Sequence, residues 1–268
     1  MNTSDGASST RIEVTRPREG GRVMTRFRVS APPDRPAIRP MLLSSDDVRA
    51  RISLVPDGAL LLAGDVIGIG IRVGPGAHLE LVEPAGTVAY SMDGGTASWS
   101  VAVDLAPTSS LVWAGEPFVV AEGARVKRTT TIRLGWDAKL AMREIVVLGR
   151  HGEGPGDLDQ ELTAVAENGA PILTESLSVG PASGPLLIGG SRVMGSVLAL
   201  GARLAGSVAD PRATVLDLEA EGTLVRALVD DAHEAVHGWE QARRAVGRYA
   251  VDEICARTLN STSSAAAM

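Results

Sequence analysis

Residues 66–81 read VIGIGIRVGPGAHLEL, and this stretch decides the fold class. Ile67, Ile69, Ile71 and Val73 alternate with Gly and Arg, the period of two that sets every second side chain on one face of a strand. Gly74-Pro75-Gly76 is turn chemistry. Ala77, Leu79 and Leu81 then resume the alternation against His78 and Glu80, which places His78 on the solvent side of its strand.

The same pattern extends outward from this stretch. Trp99, Val101, Val103 and Leu105 are opposed by Ser98, Ser100 and Asp104, and Leu140, Met142, Val146 and Leu148 repeat the parity. Turn residues cut the chain at Asp57-Gly58, Asp93-Gly94-Gly95, Pro107–Ser110 and Glu122-Gly123. A weak internal repeat runs through this half: Leu54-VPDGA-Leu60, Val73-GPGAH-Leu79, Leu105-APTSS-Leu111, Val120-AEGAR-Val126 and Leu134-GWDAK-Leu140. Each reads as strand, tight turn, strand, with both flanking aliphatics turned to one core. The starts are unevenly spaced, which a strict solenoid would not show. The predicted class is mainly β: stacked multi-layer strands with β-helical character, plus C-terminal helices. An ordinary sandwich or meander is the alternative that the repeat alone does not separate.

Residues 31–40, APPDRPAIRP, read as a Pro-rich linker after an N-terminal hairpin around Arg11–Arg16 and Arg22–Val29. HGEGPGD (151–157) is a Gly-rich loop. Further strands are predicted at Ile172–Val179 and Val215–Leu228, with no assignment for the small-residue stretch from Gly180 to Ala213. Asp231 and Glu234 form a D-x-x-E variant of the capping box. Ala232, Ala235, Val236, Trp239, Ala242 and Val246 follow as an apolar helical stripe ending near Gly247. A second helical segment is expected at Ala250–Leu259. The resulting division is a hairpin and linker (1–38), a β-rich core (39–229), a helical segment (230–260) and a disordered tail (261–268).

Composition narrows the function classes. A chain of 268 residues can bury one substantial core, and its 44% hydrophobic and 22% charged residues are ordinary for a globular protein. With aromatics at 3%, that core must be aliphatic. A net charge of -6 argues against nucleic acid as a partner. The lone Cys255 excludes an internal disulfide and a cysteine-rich metal site. MNTSDGASST has no apolar signal region, and the longest low-charge region, Leu60–Val82, is broken by Asp65, Arg72, His78 and Glu80, so neither secretion nor membrane insertion is expected. The expected location is the cytoplasm.

Few motifs carry chemistry. His233-Glu234-Ala235-Val236-His237 matches H-E-x-x-H, the zinc-hydrolase pattern with two His ligands and a Glu base. On a helix, however, this His pair shares the face of Glu240 and Arg244, opposite the apolar stripe, and no His follows as a third ligand. Gly64–Gly70 is glycine-rich but lies within strand periodicity and opens no helix, so it is not a phosphate loop. No P-loop and no G-x-S-x-G element exists. Among the carboxylates Asp65, Glu80, Glu83, Glu116, Glu144 and Glu153, Glu144 stands out because it shares the parity of Leu140, Met142, Val146 and Leu148. A carboxylate on a core face needs a partner such as an Arg, or a wet cavity.

Taken together, these segments resemble the UreD (UreH) family of urease accessory proteins. The similarity lies in Arg39–Leu43, in ARISLVPDGALLLAGDVIGIGIRVGPGAHLEL (50–81), in WAGEPFVVAEGARVKRTTTIRLGWDAKLAMREIVVLGRHGEG (113–154), and in GTLVRALVDDAHEAVHGWEQAR (222–243). Glu144, Gly149, Arg150, Gly152 and Glu153 fall in the family's E-x-x-x-x-GR-x-x-x-GE region, here compressed to GRHGE. Val82–Tyr90 keeps Thr87 and Tyr90 of a family Thr/Lys/Tyr run without its Lys, and Glu116-Pro117 keeps one Pro of a P-x-P element. The resemblance implies a β-helical scaffold without catalysis. It would bind UreF, UreG and the urease apoprotein and assist GTP-dependent insertion of nickel, which passes through an internal water-filled route. No tightly bound cofactor is then expected, only nickel in transit. A permanent nickel site would want clustered imidazoles or thiolates, whereas scattered carboxylates hold the ion weakly. Asp65, Glu144 and Glu153 are the expected lining, and Arg150 is assigned to a turn or an ion pair. The alternatives are a zinc-dependent hydrolase using His233, Glu234 and His237, or a β-rich binding module without a metal role.

Overall fold

The alternation along the chain resolves into two facing sheets. The computed structural model of the protein describes residues 6–204 and 211–247. β1 (Ser8–Thr15) and β2 (Met24–Ser30) form a hairpin, as do β3 (Ala37–Ser45) and β4 (Arg49–Asp57). The chain then winds through β5 (Val66–Val73), β6 (His78–Val82), β7 (Thr87–Ala89), β8 (Ala97–Leu105), β9 (Ser110–Val120), β10 (Arg125–Leu134), β11 (Lys139–Leu148) and β12 (Asp157–Ala166). β13 (Pro171–Val179), the short α1 (Gly184–Leu187), β14 (Val193–Leu200), β15 (Ala213–Asp217), β16 (Gly222–Val229), a 3-10 turn (Ala232–Glu234) and α2 (Trp239–Gly247) follow. The first sheet has seven strands in the order β13-β12-β10-β8-β5-β1-β2. The second has nine, ordered β15-β16-β14-β11-β9-β6-β4-β3, with β7 also paired to β9.

Between β4 and β12 the chain crosses from one sheet to the other at nearly every strand, adding a parallel strand to each layer per coil. Ile67 stands beside Trp99, Trp99 beside Arg128, and Arg128 beside Gln160 in the first sheet. Arg49, His78, Ser110 and Lys139 form the matching row in the second. The result is a β-solenoid-like stack, 55% strand. The five-residue repeats are its corners. Val73/Leu79, Leu105/Leu111 and Leu134/Leu140 lead from the first sheet to the second, and Leu54/Leu60 and Val120/Val126 lead back. All ten aliphatics are buried. The spacing is uneven because the return corner between β7 and β8 does not carry the repeat, which leaves the long gap between Val73 and Leu105.

The ends of the stack differ from the sequence reading in several places. β1 pairs in parallel with β5, Ile12 beside Ile71, so the N-terminal hairpin extends the first sheet. β14 occupies part of the unassigned Gly180–Ala213 stretch. All eight of its residues are buried, one face against the core and the other against α2, so it shows no alternation. The single strand expected at Val215–Leu228 is a hairpin of β15 and β16 whose turn, Leu218–Glu221, contains neither Gly nor Pro. The C-terminal helix begins at Trp239 rather than Asp231, because Gly238 takes a left-handed φ of +77° over Val225 and ends any continuous helix there. Val236 is consequently exposed, while Trp239, Ala242 and Val246 pack on Ala141, Val197, Ala199 and Val225. His78 is buried, not solvent-facing. Its Nδ1 lies 2.8 Å from Ser110 Oγ, and Ser110 and Lys139 in the same outward row are buried too. The segment 250–259 and the tail 261–268 lie outside the described residues. No helix among the described residues is long and apolar enough to cross a membrane.

Stacked corners leave no room for added atoms. A Cβ on Gly135 would lie 2.6 Å from the Pro107 nitrogen and 2.9 Å from the Leu105 carbonyl oxygen of the preceding coil, whereas on Gly154 it would meet only the Glu122 side chain at 3.9 Å. We expect Gly135→Ala to lower stability by about 2 kcal/mol or more and Gly154→Ala to stay within about 0.5 kcal/mol, read by urea unfolding. Equal effects would contradict the stacking.

Candidate functional site

The space between the sheets is largely apolar, and its polar side chains gather at an interruption of the second sheet and along the row that leads from it. β6 ends at Val82 and β7 begins at Thr87, leaving residues 83–86 unpaired alongside β9. On its other side β9 bulges: Ala114 stands opposite Arg143 and Pro117 opposite Ile145, so β9 carries an extra residue at Gly115-Glu116. Glycine is required on both flanks. A Cβ on Gly115 would strike the Arg143 carbonyl oxygen, and one on Gly86 that of Pro117, each at 2.4 Å.

Polar side chains enter the interior at this break. Glu83 shares the inward parity of Leu79 and Leu81. Its carboxylate accepts hydrogen bonds from the Trp113 indole N–H (2.8 Å) and the Glu116 backbone N–H (3.0 Å). Burial pushes its pKa above the ordinary value, against the opposing pull of those two donors and of Arg128. Across the same space Arg128 of β10 and Glu144 of β11 form an ion pair at 2.6 Å, their side chains only 11% and 9% exposed. Arg128 Nη1 also donates to Gln160 Oε1 (3.1 Å), and the guanidinium stacks 5.0 Å over Phe118, whose edge meets Trp99. Arg128 Nε is buried without a hydrogen-bond partner.

Glu83, Thr87, Arg128, Thr130, Met142 and Glu144 line a cavity of about 30 Å³. That is room for about one water molecule. Gly115, Glu116 and Arg143 line it as well, so it reaches through the second sheet at the bulge. On the outward face Arg143 Nε donates to the Gly115 carbonyl (3.0 Å) and Nη2 to the Glu116 carboxylate (3.1 Å), beneath Trp239 of α2 at 5.5 Å. Inward of Glu144 the polar row continues. Ser196 stands beside Glu144, Arg226 beside Ser196, and Arg226 reaches Glu175 of the opposite sheet at 2.7 Å. Carboxylates and guanidiniums alternate along this row. Among the described residues no group of three or more His, Cys, Asp or Glu is placed to hold a metal.

A sequence model of the UreD urease accessory protein family matches residues 7–258. The urease accessory protein UreD 1 of Streptomyces griseus subsp. griseus is 41% identical over 199 residues, covering 73% of this chain and 76% of the relative. The chain belongs to the UreD family. The urease accessory protein UreD of a Parafrankia species is 36% identical over 200 residues, with 64% of this chain and 67% of the relative covered. UreD membership supports a role in urease maturation, as an accessory protein rather than as the urease itself.

The three residues singled out for the path in this UreD chain are not brought together. Glu144 faces the inter-sheet cavity. Asp65, in the turn before β5, is buried, accepts the Leu62 N–H (2.7 Å) and pairs with Arg35 (3.2 Å). Glu153, in the loop after β11, pairs with Arg150 and accepts the Arg150 and Glu122 N–H groups, and these bonds lower its pKa to about 2. Each carboxylate therefore has its own arginine. Glu83 was passed over, although the parity argument applied to Glu144 selects it equally. The H-E-x-x-H match does not form a helical pair. Its first half is a 3-10 turn with His233 exposed and Glu234 bound to Arg212 (2.8 Å), and Gly238 breaks the chain direction before α2.

Two outcomes test this geometry. Arg128→Met leaves Glu144 buried without a counter-charge and should cost about 3–5 kcal/mol, while Arg128→Met/Glu144→Leu should recover most of it in urea unfolding. For Glu83, the folded protein holds the proton more tightly than the unfolded chain. Stability should therefore fall as pH rises from the ordinary carboxylate value through the raised folded one. Glu83→Gln should remove that slope, so its stability relative to wild type should improve as pH rises above about 4. A constant difference would contradict the raised pKa.

Proposed function

We propose that the chain is a non-enzymatic scaffold that binds the urease apoprotein and a UreF–UreG complex and assists GTP-dependent insertion of nickel, with the ion passing through its interior as cargo. The observation that carries this reading is the polar break in the second sheet, where Glu83, Arg128 and Glu144 line one cavity in a largely apolar core. Buried charge of this kind costs stability, and a fold that needed only a core would have closed it with aliphatics. Glu83 is the carboxylate best suited to an early step. It is held by two neutral donors and touches no arginine, so it offers oxygen to a divalent cation without first breaking an ion pair. Glu144, already paired, can accept the cation only as Arg128 shifts toward Gln160. Exchange of this kind keeps binding weak, as transit requires.

The scaffold role fits the surface as well. The second sheet ends in edge strands with exposed apolar side chains, Met41, Leu42 and Leu43 on β3 and Val215 and Leu216 on β15. Such edges are commonly covered by other chains. Asp65 and Glu153 serve as loop staples in this reading, outside the route.

Co-expression with UreF, UreG and urease tests it. The wild-type chain is expected to co-purify with UreF and to be required for urease activation. Glu83→Gln should co-purify equally while lowering nickel incorporation by about tenfold or more. Normal urease maturation without this chain would refute the scaffold, and full nickel incorporation with Glu83→Gln would refute the interior route.

A further inference from the structure

Glu83 is held from behind. Its carboxylate is fixed by the Glu116 N–H and the Trp113 indole, and both donors belong to β9, Trp113 just before the Gly115-Glu116 bulge and Glu116 within it. A bulge is the least constrained part of a ladder, because its extra residue lacks the ordinary cross-strand partners. Here the constraint comes from the outward face. Arg143 Nε bonds the Gly115 carbonyl and Nη2 the Glu116 carboxylate, so one guanidinium clasps both bulge residues. That guanidinium is only 13% exposed and stacks on Trp239, itself buried in the packing of α2 against the sheet. The sequence of contacts runs from α2 through Trp239, Arg143 and the bulge to Glu83, across the full thickness of the second sheet.

We propose that Arg143 is a positioning residue for Glu83, and that α2, through Trp239, sets how tightly the bulge presents the Glu116 N–H to the interior carboxylate. The proposal rests on the interior-route reading for its importance, but its geometry stands apart from it. The fork of arginine is needed because two acceptors one residue apart must be met at once, which a lysine ammonium on a flexible stem does not do. Trp239 supplies a flat face that fixes the guanidinium plane. Any partner that displaced α2 would release this clasp and loosen the Glu83 carboxylate.

The Trp113 indole N–H, bonded directly to Glu83, reports on this arrangement without reference to urease. In the full-length chain labelled with ¹⁵N-tryptophan, the Trp113 cross-peak is assigned by its loss in Trp113→Phe, and Glu83→Gln shows where it moves when the carboxylate is replaced. With the pH held constant, Arg143→Ala is expected to move the Trp113 peak toward the Glu83→Gln position while the Trp99 and Trp136 peaks stay in place. Arg143→Lys, which keeps charge and bulk for folding, should move it the same way. Trp239→Leu should do so to a smaller extent. A Trp113 peak that stays at its wild-type position in Arg143→Lys and Arg143→Ala, with Trp99 and Trp136 unmoved, would overturn the proposal. A Trp113 shift together with undiminished urease activation would uphold the positioning role and count against the interior route instead.

Discussion

Arg128 and Glu144 face each other at 2.6 Å between two sheets whose remaining contacts are almost wholly aliphatic. Removing both charges from water is expensive, and their attraction repays that cost only with good geometry and further hydrogen bonds. Gln160 and the face of Phe118 supply part of the support, yet Arg128 Nε still lacks a partner. The pair is therefore tolerated where the structure already admits polarity, at the interruption between β6 and β7. Everything distinctive about the interior follows from that interruption: the bulge in β9, the glycines that fit against it, and the inward turn of Glu83.

The solenoid explains how polarity at one local break extends into a row. Each coil contributes a strand to both layers, so side chains of like parity line up across neighbouring strands. Glu144 is followed by Ser196 and Arg226 along the second sheet, while Arg128 is followed by Gln160 along the first. A polar row thus runs perpendicular to the strands, from the sheet break to the Arg226–Glu175 bridge. Because each acidic group is matched by a cation or by neutral donors, the row carries little net charge. Among the described residues it contains no group of three or more His, Cys, Asp or Glu placed to hold a metal, in keeping with the proposed transit.

Much of the stack was legible in the sequence because corners and alternation are local signals. The ten corner aliphatics fall in the core as the repeat implied, and the partner sought for Glu144 on its parity is Arg128. The failures have physical causes. β14 is buried on both faces and so carries no alternation. In β12, Gln160 sits at a core position and breaks the apolar pattern of Leu158, Leu162 and Ala164. The apolar stripe near the C-terminus continued through Gly238, where the backbone turns left-handed and the helix cannot. Glu83 carries the inward parity of Leu79 and Leu81 in the sequence; what no single segment shows is the pairing break between β6, β7 and β9 that sets the Trp113 and Glu116 donors around it.

The central claim is that a divalent cation crosses this molecule through the inter-sheet break. Anomalous diffraction at the nickel edge, from crystals of the chain equilibrated with nickel, tests it most directly. The account predicts a partly occupied peak beside Glu83 that is lost in Glu83→Gln. A peak held instead at His233 and His237, with the space around Glu83 and Glu144 empty of nickel, would contradict it.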